Sequence, residues 1–250
     1  MKFKNVLVSQ PKPADVEKSP YYILAKKYRV NIDFHKFIKI EGVKAIDFRK
    51  DRIPILDHTA VIFTSRNAVD HFFRLSKEMR AEIPDSMKYF CVSEAIAFYL
   101  QKYVQYRKRK IFYGRQSFAQ LLEIIVKHKT ENFLLPCSSV SEKDLSQILK
   151  DNKVKHSKAI MYQTVSSDLS DIEIDKYDLL VFFSPSGLKS LFANFPDYKQ
   201  GDTLIAGFGP ATCKAVRESG LKLSIEAPTK TAPSMTMAIE QYIEKLMKTK

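Results

Sequence analysis

The chain has 250 residues, 45% of them hydrophobic and 12% aromatic, which is the balance of a globular protein with material for two cores of ordinary size. Its 41 basic and 28 acidic residues give a formal charge of +13, which draws polyanions to the surface, while the lack of any long apolar run excludes a helical membrane span. Three cysteines, Cys91, Cys137 and Cys213, are odd in number and far apart, which excludes a disulfide framework.

Met1 to Lys4 lead directly into a predicted strand at 4 to 9 without the apolar core of an export signal, so a cytoplasmic location is expected. A helix is predicted from Pro20 to Lys27. Val30 through Ile40 then alternates as an extended segment too long for one lobe, which predicts a strand that leaves the first sheet and continues as a connector. Val61-Ile62-Phe63 forms an apolar strand that runs into the hydroxyl-rich turn Thr64-Ser65-Arg66-Asn67 and a helix over 68 to 75, capped by Ser65 or Asn67. Ser117 is expected to cap a helix at 118 to 128, and Ser141 one that extends to 150. Lys158 to Val165 reads as a second connector, antiparallel to the first. Basic clusters at Lys26-Lys27, Arg107 to Lys110, and Lys245, Lys248 and Lys250 lie apart on helix ends and loops, where cations are favoured. With no zinc-finger, homeodomain or RNP pattern beside them, nucleic acid is not an expected partner.

The chain repeats itself once. Val61 to Val69 with Phe72-Phe73 returns as Leu180 to Leu188 with Leu191-Phe192, and Cys91 to Ala97 returns as Gly207 to Cys213. Upstream, Asn5 to Gln10 and Val30 to Phe34 resemble Asn132 to Cys137 and Val154 to Tyr162. A long period that occurs only twice fits two related lobes better than a solenoid. Strands alternating with helices predict parallel sheets, whose ligands sit beyond the strands' carboxyl ends. The expected lobes are 1–34 with 168–250, and 43–156, joined by hinge strands at 35–42 and 157–167. If the lobes face each other, the polar turns line a cleft.

Familiar catalytic patterns are missing. The five histidines, His35, His58, His71, His128 and His156, have no metal-ligand spacing, and no nucleophile elbow, Walker loop or complete dinucleotide fingerprint occurs. What remains is a set of hydroxyls and amides at helix starts, suited to anionic ligands.

The turn Ile62 to Val69, Tyr162-Gln163-Thr164 on the return connector, Phe183 to Gly187, Gly209 to Thr212, and Pro228-Thr229 before a final helix together resemble the uroporphyrinogen-III synthase family, across essentially the whole chain. The resemblance implies two flavodoxin-like three-layer α/β lobes with parallel sheets, joined by a two-stranded antiparallel hinge. It also implies no cofactor and no metal. The substrate would be hydroxymethylbilane, a linear tetrapyrrole, cyclised to uroporphyrinogen III through loss of water and a spiro intermediate that inverts the terminal pyrrole. Because this substrate also closes unaided to the uninverted isomer, holding one conformation would be the protein's main task.

On that resemblance Tyr162 is the candidate catalytic residue, a phenol that assists departure of the hydroxyl. The competing reading is a tyrosine that packs on the hinge. Thr64, Ser65, Asn67, Ser184, Ser186, Gly187, Gly209 and Thr212 are the candidate substrate-binding residues, each of which also suits helix capping. The family's Thr-Arg-Pro after the first strand is Ser9-Gln10-Pro11 here, which removes a carboxylate-binding arginine that Arg66 or Lys189 would have to replace. Ser93-Glu94-Ala95-Ile96-Ala97 lacks a threonine usual in the family and brings in an acid. A monomer is expected, with transient hand-over of substrate from hydroxymethylbilane synthase. The alternative is a non-catalytic bilobed cytoplasmic protein that binds a polyanion.

Overall fold

The computed structural model describes residues 4–115, 117–139 and 145–248, so the predicted cap at Ser141 lies outside the described residues. In chain order the elements are β1 (Asn5–Val8), α1 (Pro20–Tyr28), β2 (Asn31–Phe34), β3 (Ile38–Gly42), α2 (Ala45–Phe48), β4 (Ala60–Phe63), α3 (Arg66–Glu78), β5 (Lys88–Cys91), α4 (Glu94–Leu100), β6 (Ile111–Tyr113) and α5 (Phe118–Lys127). They continue with β7 (Phe133–Ser138), α6 (Leu145–Asp151), β8 (His156–Ser166), β9 (Leu179–Phe182), α7 (Pro185–Asn194), β10 (Leu204–Phe208), α8 (Pro210–Glu218), β11 (Leu223–Ala227) and α9 (Met235–Lys248). The chain divides into two compact units. One runs to Lys39 and resumes at Val165, and the other is Ile40–Thr164.

The first unit holds a five-stranded sheet in the order β11-β10-β9-β1-β2, and every pairing in it is parallel. Numbered along the chain within the unit, this is the flavodoxin order, with its switch point between β1 and β9. Alternate residues of β9 feed opposite faces. Leu179 and Val181 pack with α1 and α9, while Leu180 and Phe182 pack with α7 and α8. A sheet buried on both faces requires apolar residues at successive positions, which is why Leu179-Leu180-Val181-Phe182 does not alternate with polar residues.

In the second unit the order is β3-β8-β7-β4-β5-β6, and the pairs from β8 to β6 are parallel. The spatial sequence β8-β7-β4-β5-β6 matches β2-β1-β9-β10-β11 strand for strand if the chain is permuted, so that β4, β5 and β6 play the parts of β9, β10 and β11. These are the equivalences that the sequence echo gives for β4, β5, β7 and β8. Val61 and Phe63 face one core with α3 and α4, and Ala60 and Ile62 face the other with α5 and α6.

One expectation is corrected. The predicted single strand over Val30–Ile40 breaks at His35–Phe37, so that β2 belongs to one sheet and β3 to the other. The break has a packing cause, since Phe37 turns into the core of the first unit against Phe182, and Ser190 Oγ donates to its carbonyl. Val43 N–H donates to Met161 O, and Ser167 N–H to Phe37 O. One residue number falls as its partner's rises, which is the signature of antiparallel connectors.

Candidate active site

In the second unit the polar turn follows β4 at the switch point between β4 and β7, where ligands of open α/β sheets bind. Ser65 is extended (φ −154°, ψ 161°), and its Oγ accepts the Ala68 N–H at 3.1 Å, capping α3. Behind that cap α3 buries Ala68, Val69, Phe72 and Leu75, a stripe with helical spacing that seats the helix on the sheet.

Tyr162 reaches the same turn because of an irregularity in β8. Cys137 pairs with Ile160 and Ser138 with Tyr162, so one residue on β8 is unopposed. The bulge breaks alternation and places Ala159, Met161 and Tyr162 in one core, on the side of α3. Tyr162 is 7% exposed and its hydroxyl lies 3.1 Å from Ser65 Oγ. Since Ser65 Oγ already accepts from the backbone, its own proton is free for Tyr162, or it accepts the phenol's proton through its second lone pair. Burial pushes the phenol pKa up, against the pull of the Ser65 hydrogen bond, which keeps the group protonated at neutral pH.

Two residues that the sequence reading passed over complete this arrangement. The His71 imidazole lies parallel to the Tyr162 ring, centroids 5.1 Å apart and planes 17° apart. Arg74 Nε donates to His71 Nδ1 at 3.2 Å. The same guanidinium donates to the carbonyls of Val43 (2.9 Å) and Met161 (3.3 Å) and pairs with Glu78 at 2.7 Å. Burial, aided by the Arg74 charge, holds the His71 pKa below its ordinary value, with Asp70 and Glu78 opposing. Spacing of three and four residues from His71 to Arg74 to Glu78 on one helix face was the available signal.

The other predicted residues separate into groups. Thr64 and Asn67 flank Ser65 and are half-buried. In the first unit Ser184, also extended (φ −156°, ψ 154°), caps α7 by accepting the Gly187 N–H at 3.1 Å, so that amide is engaged within the helix start. Ser186 is half-buried in the first turn of α7. Gly209, at φ 87°, begins α8 after β10, and its N–H donates to Ala227 O at 2.6 Å. Thr212 is 2% exposed and therefore presents little surface to a ligand. Arg66 lies over the Tyr99 ring at 5.3 Å, and Lys189 is exposed on α7. The acid introduced by Glu94 accepts the Tyr113 hydroxyl at 3.0 Å. Among the described residues no cluster of His, Cys, Asp and Glu is arranged to hold a metal, and no helix is long and apolar enough to cross a membrane.

A tyrosine on the return connector, hydrogen-bonded to the serine that opens α3, sits within the span over which the chain matches a family model described as "Uroporphyrinogen-III synthase HemD", residues 33–237. The chain belongs to the uroporphyrinogen-III synthase family. Uroporphyrinogen-III synthetase from Helicobacter pylori is similar in structure, with a TM-score of 0.59 and 17% identity over 97% of this chain and 99% of that one. A mutant uroporphyrinogen III synthase from Thermus thermophilus gives a TM-score of 0.51 with 13% identity over 99% of this chain and 100% of that one. At such identities the likeness establishes the two-sheet α/β fold. No curated protein matches the chain. Thr164 follows Tyr162 by two residues on the same strand.

Proposed function

We propose that in this member of the family Tyr162 assists loss of the terminal hydroxyl of hydroxymethylbilane, with Ser65 fixing the phenol. The C–O bond of the hydroxymethyl group breaks as electrons move in from its own pyrrole ring, and the hydroxyl leaves as water with a proton from the phenol. The phenol holds its proton at neutral pH as any tyrosine does, and the Ser65 hydrogen bond, which pulls its pKa down against the upward push of burial, favours release of that proton to the departing hydroxyl. The far pyrrole then closes the ring through the spiro intermediate and emerges inverted, and the α-carbon proton it sheds on regaining aromaticity restores the phenol. The hydroxyls and amide of Thr64, Ser65 and Asn67 in the second unit, and the hydroxyls of Ser184 and Ser186 in the first, serve acetate and propionate groups, while Gly187 and Gly209, whose N–H groups are engaged by Ser184 and Ala227, shape the turns that carry them. Donors at helix starts favour carboxylates by hydrogen bonding and by the helix dipole. The +13 surface raises the capture rate.

The observation that carries this reading is the Tyr162 hydroxyl at 3.1 Å from Ser65, at the sheet's switch point. The test is a coupled assay with freshly generated hydroxymethylbilane that resolves the type III from the type I product. Wild-type protein gives type III product, and Tyr162→Phe gives mostly the spontaneous type I. Equal type III rates from both would remove the tyrosine from the chemistry. The same reading takes the protein as a cytoplasmic monomer that receives substrate from hydroxymethylbilane synthase. Three buried free cysteines fit a reducing compartment.

A further inference from the structure

His71 and Arg74 are unused by the chemistry above, yet they surround its central residue. Arg74 grips the backbone on either side of the connector pair, through the carbonyls of Val43 and Met161. Met161 immediately precedes Tyr162, so this contact fixes the peptide from which the phenol projects. The same guanidinium directs a proton at His71 Nδ1, leaving that nitrogen as an acceptor and the ring proton on Nε2. A neutral imidazole lies flat on the phenol and keeps the Arg74 bond, whereas a ring protonated at Nδ1 would lose that bond and face the guanidinium charge.

The groups around His71 agree with this assignment. On α3 they are Asp70, Arg74 and Glu78. Asp70 is occupied by the hydroxyls of Tyr99 (2.8 and 2.9 Å) and Tyr103, and Glu78 by Arg74. Across the helix the facing group is Tyr162 of β8, with the Cys137 thiol of β7 beyond it. Asp70 and Glu78 therefore act on His71 only through space, opposing burial and the Arg74 charge without pairing with the ring. Gly42 makes room for this apparatus, because a Cβ there would lie 2.5 Å from an Arg74 terminal nitrogen.

We infer that Arg74 and His71 are positioning residues that hold the Tyr162 phenol, one through its backbone and the other through its ring, in the orientation that meets the leaving hydroxyl. This inference rests on the role proposed for Tyr162. Three variants probe it: Arg74→Gln, His71→Ala and Gly42→Ala. The last displaces the Arg74 guanidinium, the end of a flexible side chain, while leaving the chemical identity of both functional residues unchanged.

The experiment measures kcat, KM and the type III to type I ratio for each variant, alone and combined with Tyr162→Phe, after thermal melts confirm folding. Expected is a fall in kcat of about 10-fold for each single variant, with KM within about twofold, and more type I product. In the Tyr162→Phe background the same changes cost nothing further, since residues that act through one hydroxyl are not additive. Equal losses in both backgrounds, or a wild-type kcat for both Arg74→Gln and Gly42→Ala, overturn the inference while leaving the tyrosine reading intact. A wild-type rate for Tyr162→Phe alone overturns that reading, and this inference with it.

Discussion

The turns after β4 and β9 occupy equivalent places in the two sheets and begin alike. Ser65 and Ser184 share nearly the same backbone angles, and each accepts an amide from three residues on at 3.1 Å. The helices behind them do the same secondary job, because each holds its own unit's connector backbone. α3 does so through Arg74 to Val43 and Met161, and α7 through Ser190 to Phe37 and Asn194 to Ser167. The difference lies in the neighbouring strand. β2 stops after four residues at Phe34, whereas its counterpart β8 runs for eleven and brings Tyr162 opposite the last residue of β7 and onto the serine. One turn design therefore yields a capped helix start in one unit and the same start with a buried tyrosine against it in the other.

Replacing Tyr162 should break this asymmetry most severely. Tyr162→Phe is expected to lower kcat by about 100-fold or more with little change in melting temperature, since the lost hydroxyl has one side-chain partner and the ring still stacks. Rapid-quench analysis of the two isomers checks it. The second pair of turns comes next. Gly209 (φ 87°, ψ 150°) occupies a region open essentially to glycine alone, so Gly209→Ala should cost about 1 to 3 kcal/mol in urea unfolding. Its counterpart Ser93 is extended and makes no side-chain cap, and Ser93→Ala should be close to neutral in the same measurement.

The two capping serines form the sharpest test of the comparison. Each serine-to-alanine change should cost about 1 kcal/mol of stability, the ordinary value of a lost cap. Only Ser65→Ala should also lower kcat, by severalfold, because only Ser65 has a tyrosine against it, and Ser184→Ala should act on KM. Equal effects on kcat would make the two turns functionally equivalent and dissolve the distinction drawn between them.

Much of this was legible in the amino-acid order. Continuous apolar strands, serine caps and the echo between Val61 and Leu180 report local periodicity and capping, which a sequence displays directly. They give both sheets and the position of Ser65. The break at Phe37 was hidden because Phe34, Phe37 and Ile38 continue an apolar pattern while their burial changes from one sheet to the next. Tyr162 was found through family resemblance, but its contact with Ser65 depends on the β8 bulge, and a bulge is set by pairing across strands. His71 drew notice only as a histidine without metal-ligand spacing, and Arg74 drew none. Their function depends on a carbonyl at Met161, 87 residues away from Arg74, which no local pattern encodes. Thr212 illustrates the opposite limit, since a hydroxyl at a helix start gives no sign of whether its side chain faces solvent or core.

The smallest expected effect is a pH dependence confined to the second unit. The His71 pKa lies below its unfolded value of about 6.5, because burial and Arg74 disfavour the charged ring. On acidification through that value the unfolded chain takes up this proton before the folded one does. Stability therefore rises with pH across the window and is lost as pH falls below about 6.5, until the folded pKa is also passed. The helix position that the echo aligns with His71 is Ser190, which does not titrate, so the first unit has no matching term. His71→Phe keeps an aromatic ring on Tyr162 and removes the titration. Between pH 7.5 and 5.5 the wild type should lose more melting temperature than this variant, and amides of β4 and β8 should lose more exchange protection than those of β1 and β9. A variant that falls as steeply as the wild type would place the acid sensitivity elsewhere, and would show that the imidazole is not held neutral by its surroundings.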